Sequence, residues 1–265
     1  MAWDTCRTTA CPCTSSTFTP DWRCLEKTWQ PLARNLLPSI ALHLRVSDPF
    51  NDLLLGNVSA KVCTALGDCS VPETTDDAGS VMLKVDRTYD HFFDYVDLEP
   101  TAAMMTPDTR IDPYLVYYFP RVVEDDVQML AFAASQAQDV AFASSIGEPA
   151  FDATSGAVLL NPLSCGVYFG ATGMTLESSL GGDLLYQMSG NDFSRDATAI
   201  GRSGSAVFMH VPLGNAGAAG ISAKFTGYLA GADAGKRQTV FTASAVVKPA
   251  TVTVLIVAPS PIGGW

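Results

Sequence analysis

The stretch Ile40-Ala41-Leu42-His43-Leu44-Arg45-Val46 decides the fold class. Ile40, Leu42, Leu44 and Val46 alternate with Ala41, His43 and Arg45, the period-two pattern of a strand with one buried face. The same signal recurs on its C-terminal side. Val58, Ala60 and Val62 alternate with Ser59, Lys61 and Cys63. Val81, Leu83 and Val85 follow Thr75-Asp76-Asp77-Ala78-Gly79, which reads as a turn capped by Asp side chains, with Gly supplying a positive φ. Phe92 to Leu98 makes a fourth strand. Four short strands at this spacing predict a small sandwich.

Pro100, Pro107 and Pro113 mark 100–113 as a connection, and Tyr114 to Phe119, closed by Pro113 and Pro120, reads as an aromatic strand. Val127, Leu130, Ala131, Ala134, Ala137 and Ala141 then fall at helical spacing. Glu124, Asp125 and Asp126 precede them, where acids suit the positive end of a helix dipole, and Gly147 and Pro149 end the run. Beyond Asp152, strands are expected at 156–161, 165–169, 173–178, 183–189, 205–211, 219–226, 238–247 and 250–258, with Gly or Pro in most gaps. The predicted architecture is all-β, two tandem sandwiches with one short helix between them. Its divisions are a Cys-rich irregular segment over 1–37, a first sandwich over 38–104, a connection over 105–126, and the helix plus a second, larger sandwich over 127–265.

Composition bounds the function. A chain of 265 residues predicts about two domains. Charged residues are 16% and hydrophobic residues 48%, which excludes a disordered chain. Acids outnumber bases 27 to 16, for a net charge of −11, and Lys and Arg nowhere cluster, which excludes a nucleic-acid groove. No apolar run reaches the roughly 18 residues of a transmembrane helix. Met1-Ala2-Trp3-Asp4 is not an apolar signal region, so the chain is expected to begin after a processed signal segment.

Cys6, Cys11, Cys13 and Cys24 open the chain with spacing that fits disulfides better than zinc, since one gap is a single residue and no His is near. Cys63 and Cys69 flank the hairpin Thr64-Ala65-Leu66-Gly67-Asp68, and facing strand ends can meet disulfide geometry. Cys165 is left as the odd thiol. This usage points to an oxidising compartment, hence a secreted or surface-anchored protein.

Chemistry-bearing patterns are sparse. His43, His91 and His210 form no H-x-H or H-x-x-x-H pair, so no histidine-rich metal centre is expected. Gly201-Arg202-Ser203-Gly204-Ser205 lacks the last Gly of a nucleophile elbow and precedes a strand rather than a helix. No phosphate-cradling loop occurs among the glycine-rich stretches. Carboxylate pairs (Asp90 with Asp94, Asp76 with Asp77, Glu124 to Asp126, Asp192 with Asp196) read as turns, caps and solvated faces. The same clusters leave calcium open as a ligand, with Asp76, Asp77, Asp192 and Asp196 the candidates. Trp22, Trp29, Tyr114, Tyr117, Tyr118 and Phe119 offer a glycan platform only if one face of the aromatic strand is exposed; core packing is the competing role. No catalytic or cofactor-binding residue is assigned.

Two motifs carry a family resemblance. Gly56-Asn57-Val58-Ser59-Ala60-Lys61-Val62 and Thr75-Asp76-Asp77-Ala78-Gly79-Ser80-Val81 resemble the strand pair and Thr-Asp-x-x-Gly turn of carboxypeptidase-regulatory-like, or transthyretin-like, sandwiches. A second copy, Thr198 through Gly201 and Gly204 to Gly214, shares the turn and adds Val211-Pro212-Leu213-Gly214; the first copy departs there with Asp86-Arg87-Thr88-Tyr89. The order of a Cys-rich start, this domain, a Tyr-Tyr-Phe-Pro connection, a helix and a second sandwich is similar to that of secreted proteins and lipoproteins of soil bacteria. The resemblance implies transthyretin-like or immunoglobulin-like sandwiches and mostly non-catalytic modules. The expected function is a non-enzymatic extracellular structural or adhesive protein acting on protein partners or by self-assembly. A carbohydrate-binding module and a hydrolase accessory domain are the alternatives.

Overall fold

A computed structural model describes residues 38–48, 53–86, 93–119, 127–149, 154–162, 171–189, 192–201, 204–215, 217–230 and 236–257. They divide into two compact units. The first holds the described residues up to 149 together with 250–254; the second holds those from 154 to 249 and from 255 onward. Both are built from strands, and the described residues contain one α-helix.

The first unit begins with β1 (Ser39–Ser47), whose Leu42, Leu44 and Val46 are buried between exposed His43 and Arg45, as the alternation predicts. β2 (Val58–Cys63), β3 (Glu73–Thr74), β4 (Ser80–Asp86), β5 (Tyr95–Pro100), β6 (Tyr114–Phe119) and β7 (Val127–Phe132) follow. They form two sheets. One has the order β4-β1-β7, with β1 antiparallel to β4 and parallel to β7. The other runs β6-β5-β2-β3, and the start of β15 (Val252–Val257) lies beside β6, where the Val252 N–H donates to the Pro113 carbonyl at 3.0 Å. Pairing sets Val62 beside Val96, Val96 beside Val116, and Ala60 beside Leu98, so these side chains share one buried face.

The segment 127–132 is a strand, not the start of a helix. Met129 and Ala131 are buried and Leu130 is exposed, a period of two that the neighbouring alanines disguised as helical spacing. The helix, α1 (Gln136–Ser145), starts instead at Ser135. The Ser135 hydroxyl accepts from the Gln138 N–H, and the Gln138 side chain answers the Ser135 N–H, a capping box. The aromatic strand, β7 and α1 all belong to the first unit, so the expected boundary across 105–126 is displaced to 150–153. Parallel pairing of β7 with β1 is the reason, since it places residues 127–132 inside the first sandwich.

The second unit has a sheet of order β14-β13-β9 and a second of order β11-β10-β12-β8, beside which the end of β15 lies. Its strands are β8 (Ser155–Pro162), β9 (Thr175–Ser178), β10 (Asp183–Ser189), β11 (Asp192–Ser194), β12 (Ala206–Pro212), β13 (Ile221–Ala230) and β14 (Arg237–Val247). Phe208 of β12 meets Phe225 of β13 with ring centroids 5.6 Å apart. Gly227 breaks the β13–β14 register, and a Cβ there would come within 2.4 Å of the Phe241 ring. The expected strand at 165–169 lies outside the described residues.

Two turn glycines of the first unit separate backbone strain from crowding. Gly67 (φ 88) has open space around an added Cβ, whereas at Gly79 (φ 66) the Cβ would lie 2.7 Å from the Val46 carbonyl oxygen. Gly67→Ala is expected to cost roughly 1–2 kcal/mol for the left-handed backbone alone. Gly79→Ala is expected to cost roughly 2–4 kcal/mol, because overpacking is added. Denaturant unfolding of both variants checks the order.

Candidate functional site

The most built-up feature of the first unit is the edge that runs from the end of β2 to the start of β4. Cys63 and Cys69 are joined by a disulfide, the bridge expected from their place at facing strand ends. Inside the loop the Thr64 N–H donates to the Asp68 carbonyl and the Gly67 N–H to the Thr64 carbonyl, both at 2.9 Å. The buried Asp94 fastens it from outside: its Oδ2 accepts from the Ala65 N–H at 2.6 Å, and its own N–H donates to the Cys63 carbonyl at 2.9 Å. Further along, the Thr75 hydroxyl donates to the Leu55 carbonyl at 2.8 Å and accepts from the Val58 N–H at 3.0 Å. Asp76 Oδ1 accepts from the Ala78 and Ser80 N–H groups at 2.9 and 2.8 Å. The turn read from Thr75 to Gly79 is therefore present and held by its own Asp side chain.

The carboxylates named as calcium candidates are placed as follows. Asp76 is engaged by backbone donors, while Asp77 and Asp196 are exposed in turns and Asp192 is exposed at the start of β11. Cys6, Cys11, Cys13, Cys24, Cys165, Trp22, Trp29 and His91 lie outside the described residues.

The aromatic strand is buried on both faces. Tyr117 is 4% exposed and stacks on Tyr95 at 5.1 Å, on the face that also carries Leu115. On the other face the Tyr118 hydroxyl donates to the Leu130 carbonyl at 2.7 Å, and Tyr114 reaches α1. Tyr114, Tyr117 and Tyr118 thus provide no glycan platform, because each ring is packed in the sandwich.

Sequence reasoning missed the buried acid Asp139. It sits in the first turn of α1, 4% exposed, and both its oxygens accept from the Tyr114 hydroxyl at 2.9 Å. Burial pushes its carboxyl well above the usual range; the Tyr114 bond acts the other way, and Asp112 and Asp48 add repulsion in the same direction as burial. The Gln136 amide takes up Asp112 at 2.6 Å. A Ser cap followed by an acid in the first turn was the signal that could have located it. On the opposite face of β2 and β5, Lys61 pairs with Glu99 at 2.9 Å and Asp97 at 3.4 Å. Burial would lower the Lys61 ammonium, but the two acids hold it above the ordinary lysine value.

In the second unit His210 adopts φ 49, at the point where β12 slips register against β8 between Phe208 and Val211. Its Nδ1 lies 3.1 Å from Asp183 Oδ2 on β10, and Arg195 approaches the same oxygen at 3.8 Å. The arrangement orients an imidazole by a carboxylate, which the separation of 27 residues in sequence had hidden. Elsewhere Arg237 pairs with Glu177 and lies 5.5 Å over the Tyr228 ring.

No family model and no curated protein sequence matches the chain. The carboxypeptidase-regulatory-like resemblance accordingly rests on its turn motifs. Solved structures that are similar include the Bacillus anthracis TIE protein, at 10% identity and TM-score 0.25, over 84% of this chain and 34% of that one. The shaft pilin SpaA from Lactobacillus rhamnosus GG is similar at 12% identity and TM-score 0.24, over 85% of this chain and 100% of that one. A streptococcal ancillary pilin is similar at 13% identity and TM-score 0.22, over 86% and 64%. The chain spans about a third of the first of these.

Two measurements probe the geometry. Asp139 holds its proton more tightly folded than unfolded, so its contribution to stability is full below the unfolded carboxyl range of about 4 and is lost as pH rises toward the folded value. Asp139→Asn should flatten that decline, giving a variant whose stability relative to the native chain improves with pH in denaturant titrations. Replacing both Cys63 and Cys69 by Ser should lower stability by about 2 kcal/mol, the loop-entropy value for so short a ring, read as a lower urea midpoint.

Proposed function

We propose that this chain is a non-enzymatic structural protein of the cell exterior, secreted or held at the surface, that acts through contacts with other protein chains. The observation that supports this reading is the clamped edge of the first unit. Its backbone is fixed by the Cys63–Cys69 bridge, by Asp94 and by the Thr75–Asp76 turn, yet it turns large apolar side chains, Leu66 and Val71, out to solvent. An apolar group fixed in water gains nothing from folding, but it loses little entropy when a partner covers it. The disulfide itself belongs to an oxidising compartment.

The polar side chains support the same reading. Asp76, Asp94, Asp139 and Thr75 are used to hold backbone or side chains of the fold. The glycan reading loses the aromatic strand as its platform.

Fractionation of the source cells tests the proposal. The chain is expected in the extracellular or surface fraction, with Cys63 and Cys69 resistant to alkylation until reduced. Recovery in the cytosol with both thiols readily alkylated would contradict it.

A further inference from the structure

The first unit carries two exposed surfaces of opposite character. One is the outward face of the β4-β1-β7 sheet. Leu42, Leu44, Leu83 and Val85 point inward and are buried, so His43 and Arg45 of β1 and Met82 and Lys84 of β4 point outward. Pairing sets Met82 beside His43 and Leu130 of β7 beside Arg45. Met82 is 61% and Leu130 40% exposed. Arg45 and Lys84 are exposed, and neither forms an ion pair among the described residues, whereas Lys61, Arg195 and Arg237 each do. Asp86, at the end of β4, is the acid among these outward β1 and β4 positions. Arg110, Lys224 and Lys248 share that lack of an ion pair among the described residues, but in this chain of net charge −11 the sheet face sets two such cations beside exposed apolar side chains.

The second surface is the clamped edge. Residues 62–83 contain Asp68, Glu73, Asp76 and Asp77 and neither Lys nor Arg. All four acids are exposed; Leu66, 84% exposed, precedes them, and Val71, 76% exposed, stands between Asp68 and Glu73. This surface matches the sheet face in kind, apolar side chains among charges, and opposes it in sign.

We propose that the two surfaces are halves of one contact: the outward face of β4-β1-β7 receives the Leu66–Asp77 edge of a second copy of this chain. The proposal rests on the contact function argued above and names its partner. Each half repels itself, acid edge against acid edge and cationic face against cationic face, so a two-fold pairing of either patch is disfavoured. The contact uses different patches on the two copies, is therefore heterologous, and repeats head to tail. The disulfide and the Asp76 turn fix the edge beforehand, which limits the ordering that docking requires.

Sedimentation velocity over a concentration series tests it with the oxidised chain. The native protein is expected to associate at low salt, with apparent affinity falling about tenfold or more once the Debye length shrinks to a few ångströms in roughly 1 M salt. Arg45→Glu with Lys84→Glu should give a monomer, as should Glu73→Lys with Asp77→Lys. An equimolar mixture of the two variants should associate again, because the unchanged acidic edge of the first meets the unchanged cationic face of the second. All four positions are exposed, and an unchanged melting temperature confirms that the variants fold. A native chain that is monomeric throughout, association unaffected by either reversal, or a mixture that stays monomeric would overturn the contact. An extracellular, oxidised but monomeric chain would sink this contact and leave the exterior location standing; a reduced cytosolic chain would sink the location.

Discussion

The six residues of β2 are pinned at both ends, and the first unit depends on that constraint. At the start of the strand, the Thr75 hydroxyl bonds the Val58 N–H and the Leu55 carbonyl at once. At its end, Cys63 is tied covalently to Cys69, and its carbonyl is held by the Asp94 N–H. Between these anchors β2 pairs with β5 along its whole length and with the short β3 on its other side. A slip of one residue would turn Val58, Ala60 and Val62 out of the core and Lys61 into it. The two pins forbid that slip, and they also fix the edge that carries Leu66 and Val71.

The same economy runs through other polar side chains of the described residues. Asp139 anchors the first turn of α1 to Tyr114, and Asp76 replaces a backbone acceptor in a tight turn. The Asp183–His210 pair in the second unit sits on a strained backbone at a bulge, where the fold aims one imidazole at one carboxylate. Each of these is a local solution to burying or orienting a polar group.

What was legible in the sequence follows from how strands meet water. β1, β2 and β4 have one buried and one wetter face, so their alternation survives in the residues and places them to within a residue or two. β6 is buried on both faces and reads only as a continuous aromatic run, which left open the side available to a ligand. β7 was misread because Ala134, Ala137 and Ala141, which follow it, extend Val127, Leu130 and Ala131 into a helical spacing; Ser135 and Gln138, three apart, carried the decisive signal. The Cys63–Cys69 bridge was readable because its partners flank one short hairpin. The Asp139–Tyr114 and His210–Asp183 contacts join residues 25 and 27 positions apart through tertiary packing and a register slip, which no local pattern encodes.

The disulfide-pinned edge is proposed as a contact surface and not only a turn. Amide hydrogen exchange of the oxidised protein, compared between dilute and concentrated solution at low salt, tests it most directly. Amides over Leu66 to Asp77 and along β4 are expected to gain protection together as concentration rises, while those of β13 and β14 do not change. Exchange at Leu66 to Asp77 that is independent of concentration would contradict it.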